Sequence, residues 1–227
     1  MPKTITCILG SQSSGTTLLT EYFKEAGFTL SDCADKTTFF EDPELNNINE
    51  QMLLKRGMNW HNVPLHTTFH PDQFTATILH KYFLKNPQIN LIKDPRILLL
   101  LNIYEYIDID FQFICTFRNP LATAASIKKR FSLPAEQSVK LWASYYSRMI
   151  NRKIPVIQFG ESVEFSDYID NLRRCCEFWD FEYDHSAAVN VFNHKKLHIH
   201  DPNLSGDHIS PLYVLLYKHL QKMAAAC

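Results

Sequence analysis

Apolar residues recur along this chain with two periods, and the periods alternate. Residues 4–9 (TITCIL) form a short β-rich apolar run that stops at Gly10. Over 16–27, Leu18, Leu19, Tyr22, Phe23 and Ala26 fall at helical spacing and Gly27 supplies the stop. Residues 89–93 and 111–117 (INLIK, FQFICTF) are further strands, the second apolar nearly throughout, as a strand covered on both faces should be. A helix follows over 119–131, with Asn119 at the N-cap and Pro120 at the first helical position. Residues 135–153 form one amphipathic helix with Val139, Trp142, Ala143, Tyr146, Met149 and Ile150 on its stripe. A fourth strand spans 154–159, and helices over 165–179 and 210–223 complete the pattern. Strands separated by helices predict an α/β fold of three layers, a central parallel sheet flanked by helices. Ligands of such sheets bind beyond the carboxyl ends of the strands.

Composition narrows the function. With 227 residues, the chain has the length of one domain with a proper core, 1–227. Its formal net charge of −1 leaves no basic field to attract nucleic acid, so any bound anion must be gripped by local groups. None of the six cysteines forms a C-x-x-C pair, and Cys7 and Cys115 sit inside apolar strands; reduced thiols are expected. The N-terminus lacks a secretory apolar region, and no apolar run has the ~18 residues of a membrane span. The expected location is cytoplasmic.

Three polar clusters stand at strand ends. The first, GSQSSGTTLL (10–19), has the strand–glycine turn–helix order that aims free backbone N–H groups at an anion. Gly10, Gly15 and Thr17 match a phosphate-binding loop, but Thr16 occupies its lysine position. Backbone amides and the hydroxyls of Ser13, Ser14, Thr16 and Thr17 suit one phosphate-like group better than a magnesium triphosphate, which disfavours a small-molecule kinase. The second is KDPR (93–96), which is otherwise a surface turn in which Lys93 and Arg96 pair with Asp94. The third runs from Arg118, at the end of a buried strand, to Ser126, about two helical turns on. Two anion sites at neighbouring strand tips imply a ligand with phosphates at both ends.

These elements together resemble the sulfotransferases that use 3′-phosphoadenosine 5′-phosphosulfate (PAPS), in their bacterial and carbohydrate-type branch. The similar stretches are Ser14-Gly15-Thr16-Thr17, Lys93-Asp94-Pro95-Arg96, Arg118-Asn119-Pro120 with Ser126, FFEDPELNNINE (39–50), and more loosely Trp142, Tyr146, QFGES and DPNL. The resemblance implies transfer of a sulfuryl group from PAPS, without a metal, to a hydroxyl of a small molecule, carbohydrate or lipid. It assigns the phosphosulfate to residues 13–17, the 3′-phosphate to Arg118 and Ser126, and a loose place on the adenine to Phe159, for which core packing is the alternative. Lys93 becomes the electrostatic stabiliser of the sulfuryl and Glu41 the general base, with Asp42, Glu44 and His66 as alternatives. Asp42 and Glu44 have a second explanation as carboxylates at a helix N-terminus.

One position departs from the pattern. The family carries Arg or Lys where this chain has Ser13, which keeps open a non-catalytic protein that binds PAPS or its bisphosphate product. Lys93 or Arg96 are candidates to replace that cation, and Arg130 is a further candidate for the 3′-phosphate. Segment 32–80, with His61, His66 and His70, is expected to form an acceptor-side lid. His194, His198, His200 and His208 match no tetrahedral metal pattern, and Lys195 and Lys196 are placed to close over the nucleotide.

Overall fold

The computed structural model describes residues 4–65, 67, 69–160, 163–193 and 209–226. Four parallel strands make the sheet: β1 (Thr4–Leu9), β2 (Leu91–Lys93), β3 (Asp110–Arg118) and β4 (Val156–Phe159), in the order β2-β1-β3-β4. The register pairs Ile8 with Lys93, Leu9 with Cys115 and Arg118 with Phe159. The carboxyl ends of all four strands therefore lie on one edge.

Strand alternation divides the core between the two faces. Ile5, Cys7 and Leu9 of β1 and Phe111, Phe113, Cys115 and Phe117 of β3 point into one apolar cluster. Ile8 and Ile114 point into the other. The second cluster is covered by α1 (Thr16–Glu25), α8 (Phe165–Phe178) and α9 (His185–Asn193). The first is covered by α2 (Pro43–Leu54), α3 (Gln73–Lys85), α4 (Pro95–Leu99), α5 (Leu101–Tyr106), α6 (Pro120–Phe131), α7 (Ala135–Tyr146) and α10 (Pro211–Ala226). This is the three-layer α/β arrangement the alternating periods predict.

Local chemistry sets several boundaries. The side chain of Asn119 accepts from the N–H groups of Leu121 (2.9 Å) and Ala122 (3.2 Å), so α6 starts where Asn-Pro predicts. α1 closes in a Schellman motif: the N–H of Phe28 donates to Phe23 O and that of Gly27 to Lys24 O, while the rings of Phe23 and Phe28 pack edge to face at 5.1 Å. The expected helix over 135–153 is shorter than its periodicity suggests. α7 stops at Tyr146, a 3-10 turn covers Ser147–Met149, and Asn151 adopts φ 66°. The left-handed backbone of Asn151 ends the helical path, and Pro155 keeps the residue before it extended as the chain enters β4. Segment 32–80 is built on two helices, each capped by an aspartate. Asp42 accepts from Leu45 N–H (2.9 Å) and Asp72 from Thr75 N–H (2.8 Å).

Candidate functional site

The turn after β1 is shaped by hydroxyls. Gly10 has φ 152°, and a Cβ there would lie 2.6 Å from both Ser14 Oγ and Thr116 O. Ser14 Oγ donates to Ser11 O (2.7 Å), and Thr116 Oγ1 donates to Ser14 O (2.9 Å). Two adjacent tyrosines of α7 hold the first half of the turn. Tyr146 OH donates to Thr116 O (2.8 Å) and accepts from Ser11 N–H (3.1 Å). Tyr145 OH donates to Trp60 O (3.0 Å) and accepts from Gln12 Nε2 (3.0 Å). Burial pushes both phenols up from their ordinary range, so they stay protonated and keep these roles.

The turn ends at Gly15, which has φ 94° and stands at the N-cap of α1. A Cβ at Gly15 would lie 2.5 Å from Cγ of Phe159, so the ring at the end of β4 sits directly on this glycine. Among the described residues no side chain caps α1. Its first-turn N–H groups have no intrahelical acceptor and carry the positive end of the helix dipole. Ser13, with φ 65°, has a buried Oγ without a hydrogen-bond partner.

Beside this turn lies a cavity of about 230 Å³, lined by Ser13, Thr16 and Thr17 on one side and by Glu41, Lys93 and Arg96 on the other. Lys93 ends β2, and its side chain is 3% exposed. Its Nζ donates to Glu41 Oε1 (2.5 Å) and Phe39 O (3.1 Å). Asn46 Nδ2 donates to the second oxygen of Glu41 (3.0 Å). Phe39 and Phe40 are consecutive residues with positive φ, 56° and 61°. Such geometry costs of order 1–3 kcal/mol per residue and needs support from its surroundings, which the Lys93 bond to Phe39 O supplies.

Asp94 is fully buried and caps α4. It accepts from Arg96 N–H (2.9 Å), Arg96 Nη1 (3.0 Å) and Asn49 Nδ2 (2.8 Å), while Tyr104 OH donates to Asn49 Oδ1 (2.8 Å). Burial pushes the Asp94 carboxyl up, and the Arg96 guanidinium opposes it. Burial also works against the Arg96 charge, but Asp94 and Glu50, whose Oε2 is 2.7 Å from Nε, outweigh it. The KDPR turn is thus half of what pairing within the turn predicts: Arg96 pairs with Asp94, whereas Lys93 is held by Glu41, fifty-two positions away. Arg130, near the end of α6, also lines the cavity. Its guanidinium lies 4.8 Å from the Phe39 ring centre and 5.2 Å from that of Phe131, and no carboxylate pairs with it among the described residues.

No family model and no curated protein matches the chain. Among solved structures it is similar to the sulfotransferase domain from the Synechococcus PCC 7002 olefin synthase. The two share 18% identity and a TM-score of 0.53 over 99% of this chain and 93% of that one. The fold is a sulfotransferase fold. Within it the candidate residues separate into two groups. Ser13, Thr16, Thr17, Lys93 and Glu41 meet at one cavity. Ser14 and Gly15 shape the turn that borders it, and Arg118, Ser126 and Phe159 lie outside its lining. Arg118 is fully buried at the end of β3; its carbonyl accepts from Trp142 Nε1 (3.1 Å), and its guanidinium stands 5.9 Å from the Phe159 ring centre. One aromatic ring therefore touches both the glycine turn and the neighbourhood of this arginine. Ser126 is half-buried on α6.

The alternatives to Glu41 have other partners. Asp42 caps α2, and Glu44 pairs with Lys85 at 2.8 Å. His66, His194, Lys195, Lys196, His198, His200 and His208 lie outside the described residues. Among the described residues there is no group of three or more metal-ligating side chains, and no helix is long and apolar enough to cross a membrane. Sequence reasoning did not bring Arg130 to the phosphosulfate end of the site, nor Trp60 and Phe131, whose rings meet at 4.9 Å on the cavity wall. The i, i+4 spacing from Ser126 to Arg130 places both on one face of α6, and that signal was available.

Proposed function

We propose that this chain transfers a sulfuryl group from PAPS to a hydroxyl of a small molecule or carbohydrate. The observation that carries this reading is the cavity in which the uncapped N-terminus of α1 faces the Lys93–Glu41 pair. At about 230 Å³ it is smaller than the ~300 Å³ at which pockets for whole drug-sized ligands begin. It fits the reacting end of the nucleotide together with the acceptor oxygen.

In this reading Ser13, Thr16, Thr17 and the first amides of α1 hold the 5′-phosphosulfate. Lys93 turns from Glu41 to the oxygen bridging phosphorus and sulfur, where negative charge grows as the S–O bond breaks. Glu41, released from the ammonium, accepts the proton of the acceptor hydroxyl as its oxygen bonds to sulfur in line with the departing phosphate. Arg130 supplies the cation absent at position 13. Arg118 and Ser126 take the 3′-phosphate and Phe159 the adenine, which requires nucleotide entry to uncover Arg118. No metal is needed, because the charge is met by amides and fixed cations.

Ser13 favours a second reading, a protein that binds PAPS or 3′,5′-ADP without transfer. Thermal unfolding with 3′,5′-ADP and with Mg-ATP tests both: an upward shift with the bisphosphate alone supports nucleotide binding, and a shift with Mg-ATP alone overturns it. Transfer of labelled sulfate from PAPS to a panel of hydroxyl acceptors then separates enzyme from binder.

A further inference from the structure

On the same face of the sheet as α7 and α10, but sharing no lining residue with the cavity described above, is a larger hollow of about 510 Å³. Its walls are mostly aliphatic, formed by Leu65, Phe69, Ile150, Leu212, Leu215 and Leu216. Three of these are unusually open for apolar side chains: Leu212 is 53% exposed, Leu215 64% and Ile150 46%. Exposed leucines that converge on a hollow, rather than lying scattered, mark a binding surface.

The polar part of the lining, which includes Asn102, Ser147, Tyr213 and His219, carries two arginines, Arg148 and Arg152. Arg148 is 8% exposed, and its Nη atoms are spent on neutral acceptors: Leu65 O (3.0 Å), Pro64 O (3.2 Å), Thr67 O (2.9 Å), Ser147 Oγ (3.0 Å) and Ser144 O. Its Nε–H is buried with no acceptor. Among the described residues no carboxylate pairs with this guanidinium, whereas Arg152, also in the lining, is paired through Nε and Nη2 with Glu105 (2.9 and 3.1 Å). Burial pulls the proton affinity of Arg148 down to about 10; the neighbouring Arg152 charge adds to this and Tyr145 opposes it. A buried cation without a counter-charge is expensive, and an arriving anion would relieve that cost.

The geometry points to a binding site for a monomeric amphiphilic anion, a single alkyl chain with a carboxylate head. The chain lies along the leucine wall and the head turns to Arg148. Aliphatic lining alone would take any hydrocarbon, and a surface cation alone would take any small anion; the juxtaposition selects a molecule that is both. The inference does not rest on the sulfotransferase reading.

The test is calorimetric titration of the full chain with dodecanoate below its critical micelle concentration, beside dodecanol and acetate. Dodecanoate is expected to bind one per chain, about tenfold or more tighter than dodecanol, the worth of a charge-assisted hydrogen bond, and acetate not detectably. Because Arg148 also holds Pro64, Leu65 and Thr67, its removal risks unfolding, so the variant of choice is Leu215→Asp on the exposed face of α10. It should unfold at the parent temperature and weaken dodecanoate by at least about tenfold. Dodecanol binding as tightly as dodecanoate, L215D binding dodecanoate unchanged, or association only with anionic vesicles would each overturn the assignment.

Discussion

Replacing Glu41 by Gln isolates what the Lys93–Glu41 pair contributes. The Lys93 side chain is 3% exposed and that of Glu41 20%, so the two partners differ in what they leave behind. Without the carboxylate, a buried ammonium keeps only Phe39 O and a neutral amide. Breaking a buried pair in this way costs ~3–5 kcal/mol; partial water access to position 41 brings the expectation to about 2–3 kcal/mol. In a chain of this length each kcal/mol shifts the unfolding midpoint by roughly 2–4 °C, so E41Q should melt about 4–12 °C below the parent. Lys93→Met leaves a carboxylate that water and Asn46 still reach, and should cost less. A double-mutant cycle measured by urea unfolding gives the coupling directly. Activity should fall in both variants, with K93M losing about 10²–10³ in kcat through the missing donor to the leaving oxygen and E41Q about 10²–10⁴ through the missing base. A coupling energy below about 0.5 kcal/mol, or K93M less stable than E41Q, would refute this account of the pair.

Other outcomes follow from the same geometry. Gly15→Ala forces a Cβ into the Phe159 ring at φ 94° and should cost at least about 1–2 kcal/mol from the backbone alone, with loss of the 3′,5′-ADP thermal shift; adding Phe159→Ala should restore part of the stability but not the backbone term. Arg130→Ala should leave the melting temperature nearly unchanged and weaken PAPS binding about tenfold at low salt, less at high salt, as read by titration calorimetry. Asp72 is held below the ordinary carboxyl range first by the Thr75 N–H. The unfolded chain binds that proton more tightly, so the cap stabilises the fold above about pH 4 and fades as pH falls through the folded value. Asp72→Asn keeps the cap and should flatten the acid limb of the stability profile.

Much of the fold is legible locally. All four strands, the end of α1 and the start of α6 stand in the sequence because β-rich runs, Gly27 and Asn-Pro act within a few residues. The strand order is not, since parallel pairing of β1 with β3 joins residues about a hundred positions apart and rests on no local signal. α2 escaped because PELNNINEQMLL buries only Leu45, Asn49, Met52 and Leu53, and its polar Asn49 breaks the apolar stripe in order to serve Asp94. The site shows the same division. Residues 13–17 and Lys93 announce themselves as strand-end donors. That Glu41 rather than Asp94 would hold Lys93 depends on how α2 folds back over β2, and the place of Arg130 on where α6 ends.

The two neighbouring phenols of α7 make the glycine turn after β1 a suspended object. Its first residues hang from a helix some 130 positions downstream rather than standing on their own strand. A graft of residues 10–17 onto a foreign strand and helix would carry the glycines but leave the scaffolding behind. Conversely, any displacement of α7 against the sheet is passed to the loop through these bonds, making Tyr145 and Tyr146 the points through which distant packing reaches the turn.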